Sequence, residues 1–425
     1  MRALLLSVCL LSLMPQVWAQ TEEAEEEKNP LTFSAFLQNV AQNNLDYAAE
    51  KFNIKKAEAE IIQAGIFPDP ELSFEYANNS DRTMDLGRVF VGGLGWTLEL
   101  GGKRKARISV AEAEKVLAEL ALADYFQNLR AEAGMLYVDA MERKAMKDLQ
   151  EQTFQSMRQL SNADSIRHSL GEISEIDAVQ SRLEVNIMRN DVWDAEVDWK
   201  NAFQKLFLIM GPATETSFES VPKNFFSFNK AYKPNYLITK AHENRADLAL
   251  AEQDIDLAQR FITLAEANRK IDVDVNIGVE TNTEATNHIA ETPAFTSYQA
   301  GISIPLKFSN KRNSETKIAE YENEIKQLNL LSLKREVENE IVEAFNEYQN
   351  QIKKTNAYQN DLNPQAKRVL DGKVYSYQRG EISLLEVINA QRTYNEVMED
   401  YYSTLAETAR AFIELQRVSG IWEIE

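Results

Sequence analysis

Cysteine is almost missing from this 425-residue chain; the single one is Cys9. That excludes a disulfide framework and a cysteine-ligated zinc site. The three histidines, His168, His242 and His288, are scattered, too few for an imidazole cage. Met135, Met141 and Met146 share no clear helical face, so soft-ligand coordination is not supported. Glycine (15) and proline (10) are scarce, which rules out collagen, proline-rich linkers and wholesale disorder. Positive charge is in deficit: 46 Lys and Arg stand against 66 Asp and Glu, a formal net charge of −20. Such a polyanion lacks the basic face that phosphate neutralisation needs, so nucleic acid is not expected as a partner. There is no P-loop and no nucleophile paired with a base, so neither a cofactor nor an enzymatic activity is expected.

What is present begins with an export signal. Arg2 is followed by a short apolar run, Ala3 to Leu13, and then by Val17-Trp18-Ala19, which suits a signal peptidase. Cleavage is expected between Ala19 and Gln20. The run is too short to span a bilayer as an anchor. Cys9 leaves with residues 1–19 and sits too far upstream of the small-residue site to be lipidated, so the chain does not read as a lipoprotein. Loss of Arg2 takes the charge to −21. Residues 20–30 form an acidic tail, with five Glu between Thr21 and Lys28. Beyond the signal no segment approaches the eighteen apolar residues of a transmembrane helix. The exported chain is therefore periplasmic, secreted, or held in an outer membrane by strands.

The rest of the chain is written twice. Gly171-Glu172-Ile173-Ser174 recurs as Gly380-Glu381-Ile382-Ser383, at an offset of 209. Leu206 pairs with Leu415 and Gly211 with Gly420 at the same offset; Lys103-Arg104 pairs with Lys311-Arg312 at 208, and Ala57 with Ala258 at 201. The slow drift means small insertions in a common plan. The expected units are a first repeat over 31–210, a linker over 211–235 with three prolines, a second repeat over 236–420, and a tail over 421–425. Each repeat reads as helix, strand, loop, strand, very long helix, sharp turn, long helix.

The strands carry period-two patterns. Leu72, Phe74 and Tyr76 alternate with small or polar residues, as do Leu94, Trp96, Leu98 and Leu100. In the second repeat Val273, Val275, Ile277 and Val279 form one set, and Ile302, Ile304, Leu306 and Phe308 the other. Each strand is roughly nine to eleven residues long, enough to cross a bilayer at a tilt. Opposite the apolar face fall Glu75, Glu99, Asp272, Asp274 and Glu280, which would line a wet lumen. Phe74, Tyr76, Trp96, Tyr298 and Phe308 are candidates for interfacial aromatic girdles. A half-buried antiparallel sheet in a soluble protein would show the same alternation.

The helices are long. Lys105 to about His168 contains no proline and only one glycine, Gly134. Arg312 to Arg379 is similar, with a break expected at Asn363-Pro364, where Asn would cap and Pro would start a new segment. In the first return helix Val185, Met188, Val192, Ala195, Trp199, Ala202, Leu206 and Ile209 step alternately by three and four, a heptad seam. These helices carry too much polar surface for a globular core, so a thin-walled bundle is expected. Four strands cannot close a barrel, and an open edge cannot sit in lipid. Several copies must pool their strands, and three would supply about twelve.

With these features the chain resembles the TolC-like outer-membrane efflux proteins over essentially its whole mature length. Three motifs carry the likeness: Glu99-Leu100-Gly101-Gly102-Lys103-Arg104, Gly301-Ile302-Ser303-Ile304-Pro305-Leu306, and Tyr377-Gln378-Arg379-Gly380-Glu381-Ile382-Ser383-Leu384-Leu385-Glu386-Val387 followed by Ala390-Gln391-Arg392. The first two are similar to the heavy-metal branch. The resemblance implies an α+β membrane protein: a homotrimer whose twelve-stranded β-barrel, set in outer-membrane lipid of a Gram-negative bacterium, continues as an α-helical barrel in the periplasm. It implies a passive conduit that exports heavy-metal cations, served by a periplasmic adaptor and an inner-membrane pump of the resistance-nodulation-division type, with none of the energy-coupling chemistry in this chain. Multidrug or small-molecule efflux and type I secretion remain as alternatives, as does, in another class, an exported coiled-coil protein without a pore.

The candidate sites follow from the repeat and the resemblance. Gly171, Glu172, Ile173 and Ser174, and Arg379, Gly380, Glu381, Ile382 and Ser383, reverse the chain between long helices. As a turn, glycine ends one helix and serine caps the next; as the resemblance implies, the same tips meet the adaptor. Glu386 matches the family's acidic ring at the channel entrance. Asn389 stands at the companion acidic position and departs from the pattern, and Asp177 with Gln180 occupies the equivalent place in the first repeat. A solvated helix face would show the same residues.

Overall fold

The computed structural model describes residues 30–81, 84–212, 218–222, 230–306 and 313–424. The signal peptide, nearly all of the acidic tail, Phe308 and Lys311-Arg312 lie outside the described residues. The first repeat comprises α1 (Phe33–Asn43), α2 (Leu45–Ala64), β1 (Glu71–Asn78), β2 (Arg88–Leu98), α3 (Lys103–Ser169) and α4 (Glu175–Met210). The second comprises α5 (Pro234–Asn244), α6 (Ala246–Asn268), β3 (Val273–Asn282), β4 (Phe295–Ser303), α7 (Asn313–Ala357), a π-helical turn (Tyr358–Leu362), α8 (Asn363–Gln378) and α9 (Leu384–Ser419).

Each repeat opens with two helices, where the sequence reading expected one. The break at Asn44 is extended backbone, and the Asn44 side chain accepts from the Tyr47 amide at 2.8 Å. Its amide group donates to the Ile209 carbonyl at 2.9 Å. In the second repeat Arg245 occupies the break and donates to the Val418 carbonyl at 3.0 Å. Both breaks thus bind the last turn of their own repeat's return helix, through different chemistry.

The long helix α3 has 67 residues, about 100 Å of rise. Its first part packs between α2 and α6, and it also packs on α4 and α9. Gly134 is the one glycine in its interior because α9 comes so close: a Cβ there would stand 3.0 Å from the Ile413 side chain. The α4 seam packs as expected, with Val185, Met188, Val192, Trp199, Ala202 and Leu206 buried. The break expected at Asn363-Pro364 differs. Asn363 keeps helical angles and caps nothing; its amide bonds back to the Tyr358 carbonyl, one residue wider than an α-turn. The wide turn accommodates Pro364, which has no amide hydrogen, without ending the helix.

Among the described residues, two cores hold the bundle. The larger gathers Phe36 of α1, Tyr137 of α3, Leu206 of α4, Leu237 of α5, Tyr348 of α7 and Phe412 of α9. Tyr137 donates to the Leu31 carbonyl at 2.6 Å, tying the entry to α1 onto α3. The smaller core lies toward the tips and contains Met157, Val185, Met188, Tyr377, Leu384, Val387 and Ile388.

The sheet is antiparallel throughout, in the order β1-β2-β3-β4, so β2 and β3 join the two repeats. Its register brings the apolar sets together as cross-strand rows: Leu72, Leu94, Ile277 and Ala300 form one row, and Phe74, Gly92, Val279 and Tyr298 the next. This face is exposed; Leu72 is 85% and Tyr298 83% accessible. β4 ends at Ser303 and β2 at Leu98, so Ile304, Leu306 and Leu100 continue the pattern beyond the strands. The β1 and β4 edges have no partner strand among the described residues.

Candidate functional site

The two tips are built alike. At the first, the Glu172 amide bonds to the Arg167 carbonyl at 2.9 Å and the Gly171 amide to His168 at 2.9 Å. At the second, Glu381 bonds to Ser376 at 3.0 Å and Gly380 to Tyr377 at 2.9 Å. Both are Schellman turns, and Gly171 (φ 77°) and Gly380 (φ 74°) supply the left-handed residue. A side chain on either glycine would meet nothing within 4 Å, so backbone conformation and not space selects glycine. Ser174 caps α4 through a 3.2 Å bond from the Asp177 amide and donates to the Asp177 carboxylate at 2.8 Å. Ser383 has extended cap geometry but makes no side-chain cap bond. Glu172, Arg379 and Glu381 are exposed, and each has a local ionic partner: Arg167 at 3.4 Å for Glu172, and each other at 3.0 Å for Arg379 and Glu381. Ile173 and Ile382 are half-buried.

Glu386 does not stand as a bare carboxylate. Lys373 of α8 donates to it at 2.6 Å, and that bond holds its carboxyl below the usual carboxylate value. Asn389, one turn on, is exposed, and Asp177 is half-buried and engaged with Ser174. Behind the second tip Tyr377 donates to the fully buried Asp164 at 2.8 Å, with Arg167 3.9 Å from the same carboxylate. Burial raises the Asp164 carboxyl, against the Tyr377 bond, and burial also raises the Tyr377 hydroxyl. The sequence reading did not single out this pair; the two residues lie 213 positions apart and no local pattern links them.

Of the five strand acids, three share the polar sheet face. Glu75 and Glu280 lie in one row, with Val91 between them. Asp274 accepts from Thr97 at 2.5 Å, and Glu280 from Gln299 at 2.7 Å. Glu99 and Asp272 fall just outside the strands, at the junction with the helices. There Glu99 binds Arg107 at 2.5 Å and Asp272 binds Lys103, so their charges anchor the helix base. Among the aromatic candidates, Tyr76 packs at a tilt against Phe90 near the outer strand ends, with ring centroids 5.1 Å apart, Trp96 lies near the inner ends, and Phe74 and Tyr298 share a row between them. No group of three or more potential metal-ligating side chains occurs among the described residues.

A duplicated strand-hairpin and long helical hairpin, with an exposed apolar sheet face, defines a membrane channel subunit. The profile of the outer membrane efflux protein family matches residues 36–212 and 237–421. The chain belongs to that family, a family of conduits and not of enzymes. It is 24% identical over 395 residues, covering 93% of itself and 91% of the relative, to the cobalt-zinc-cadmium resistance protein CzcC of Cupriavidus metallidurans. The fold is shared with CusC (TM-score 0.72, 17% identity, 92% of this chain and 93% of that one). It is likewise shared with the CmeC outer membrane channel of Campylobacter jejuni (TM-score 0.72, 13% identity, 99% and 94%). The MtrE outer membrane channel of Neisseria gonorrhoeae, in its open state, is similar too (TM-score 0.68, 14% identity, 92% and 89%).

Proposed function

We propose that three copies of this chain form the outer-membrane conduit of a tripartite efflux system that exports heavy-metal cations. An inner-membrane pump and a periplasmic adaptor deliver the cargo. The sheet carries this reading. Four strands with two open edges and one exposed apolar face cannot rest in lipid alone. Three copies pool about twelve strands, a width that leaves a water-filled lumen. Around one chain the helices run α2, α3, α6, α7, so neighbouring copies meet at the α2 and α7 flanks. The metal cargo rests on the likeness to CzcC. Deleting the gene is expected to lower tolerance to cobalt, zinc and cadmium; a strain that loses only drug tolerance would assign a different cargo.

The tips are the adaptor contact in this reading. Valine at Gly380 forces a β-branched residue to positive φ, at a cost of about 1–3 kcal/mol. Gly380→Val is expected to abolish export while heat-sensitive trimers persist in the outer membrane. Export at the wild-type level would remove the tip from the docking surface.

Glu386 and Lys373 together set the charge at the entrance. Removing the acid leaves three lysines around the axis. Glu386→Ala is therefore expected to lower the cation-to-anion permeability ratio in planar bilayers by on the order of tenfold. Lys373→Ala should move it the other way. Because the Glu386 carboxyl is depressed, its charge is present above the usual carboxylate range and persists through it. The cation preference should therefore survive through the ordinary carboxylate range and fade only at pH values below it. Equal ratios in all three channels would show that Glu386 does not face the permeating ions.

A further inference from the structure

A cleft of about 680 Å³ opens between the first turns of α3 and the last turn of α6, just below the strands. Its charge runs against that of the chain. Lys105, Arg269 and Lys270 line it, and Glu266 is the one acid among the described residues of its wall, in a protein of net charge −20. Among the described residues neither Lys105 nor Arg269 forms an ion pair, and both are exposed. Gly101 and Gly102 keep the wall bare: the Lys270 stem lies where a Gly101 side chain would be, and Gly102 has open space above it. Ser109 Oγ accepts from Arg260 at 3.2 Å, which leaves its own hydrogen available to a ligand.

The position of the cleft says what it meets. Lys103 and Arg107 reach Asp272 and Glu99, the acids that continue the polar sheet face. Lys105 is two residues from each, about 200° or 160° around the helix, and so lies on the side of the apolar face. Leu100 and Ile271 carry the alternation of that face past the strand ends and are 44% and 40% accessible. The cleft therefore sits where an apolar band ends and water begins, at headgroup depth. Both walls belong to one chain, and neighbouring copies meeting at the α2 and α7 flanks, as in the trimer proposed above, would leave the cleft uncovered.

We propose that this cleft binds the phosphodiester of an anionic phospholipid in the periplasm-facing leaflet. The Arg269 guanidinium and the Lys105 ammonium group donate to the phosphate oxygens, and the acyl chains lie along the apolar strand face. Free phosphate offers the same oxygens without the chains. The assignment rests on the channel reading, because only an inserted sheet brings the cleft to a headgroup.

The test uses delipidated full-length protein in mild detergent, followed by native mass spectrometry with added phosphatidylglycerol or with diacylglycerol of the same chains. The wild type is expected to hold phosphatidylglycerol about tenfold or more tightly than the Lys105→Ala/Arg269→Ala double variant. Lys105→Arg/Arg269→Lys should bind like the wild type, and diacylglycerol should not distinguish any of them. Equal phosphatidylglycerol retention by the wild type and the alanine variant overturns the proposal. Displacement of the lipid by millimolar inorganic phosphate overturns its lipid half and assigns the cleft to soluble phosphate. Planar-bilayer conductance of the same preparations reads the channel separately: a wild type that retains the lipid but conducts nothing counts against the channel alone.

Discussion

Arginine in place of Phe74 is expected to remove the protein from the outer membrane. Phe74 sits midway along β1, is 75% accessible, and shares its row with Gly92, Val279 and Tyr298. In a barrel this row faces the hydrocarbon, where an arginine costs about 2–4 kcal/mol at the midplane. Three copies raise that to about 6–12 kcal/mol for a trimer, comparable with the whole stability of many proteins. The adjacent Ser73 faces the other way, where its hydroxyl donates to the Gly93 carbonyl. Ser73→Arg therefore places the same charge in water and should be tolerated. Heat-sensitive trimers in outer-membrane extracts are the readout. Equal yields of the two variants would mean that the sheet does not face lipid.

The second large effect is expected far from the membrane. Arg245 is 8% accessible at its side chain and binds Asp247 at 2.6 Å, Glu340 at 2.7 Å and the Val418 carbonyl at 3.0 Å. It joins the α5–α6 break to α7 and to the end of α9. Arg245→Ala leaves two carboxylates and a carbonyl without their donor, at a cost of about 3 kcal/mol, the low end for a broken buried pair because the acids keep some solvent. Arg245→Lys should recover only part of this, since one ammonium cannot match a forked guanidinium on three acceptors. Thermal unfolding followed by helical circular dichroism in detergent reads the loss. A melting temperature unchanged in the alanine variant would show that the Val418 carbonyl and both acids find water as readily as they found Arg245.

Much of this architecture was legible because its signals are local. The alternation from Leu72 to Tyr76 and from Val273 to Val279 needs only neighbouring residues, as does the three-four stepping from Val185 to Leu206. The tip glycines were legible for the same reason: a left-handed residue between two helices leaves a short, repeated signature. The 201-residue offset that aligns Ala57 with Ala258 also aligns Asn44 with Arg245, but aligned positions of different chemistry do not announce a common role. Asn363-Pro364 misled because the lost amide was made good by a wider turn that no composition marks.

By itself, then, the sequence determined the duplication, the long helices and the amphipathic strands. These follow from periodicity and length, which act along the chain. Only the tertiary structure decided that β2 pairs with β3 across the repeats, that Glu99 and Asp272 are anchored by Arg107 and Lys103, that Lys373 tempers Glu386, and that Lys105 and Arg269 come together at the foot of the sheet. Most of those residues are brought together across tens to hundreds of positions, and a charge's partner is chosen by which surfaces the packed helices bring face to face.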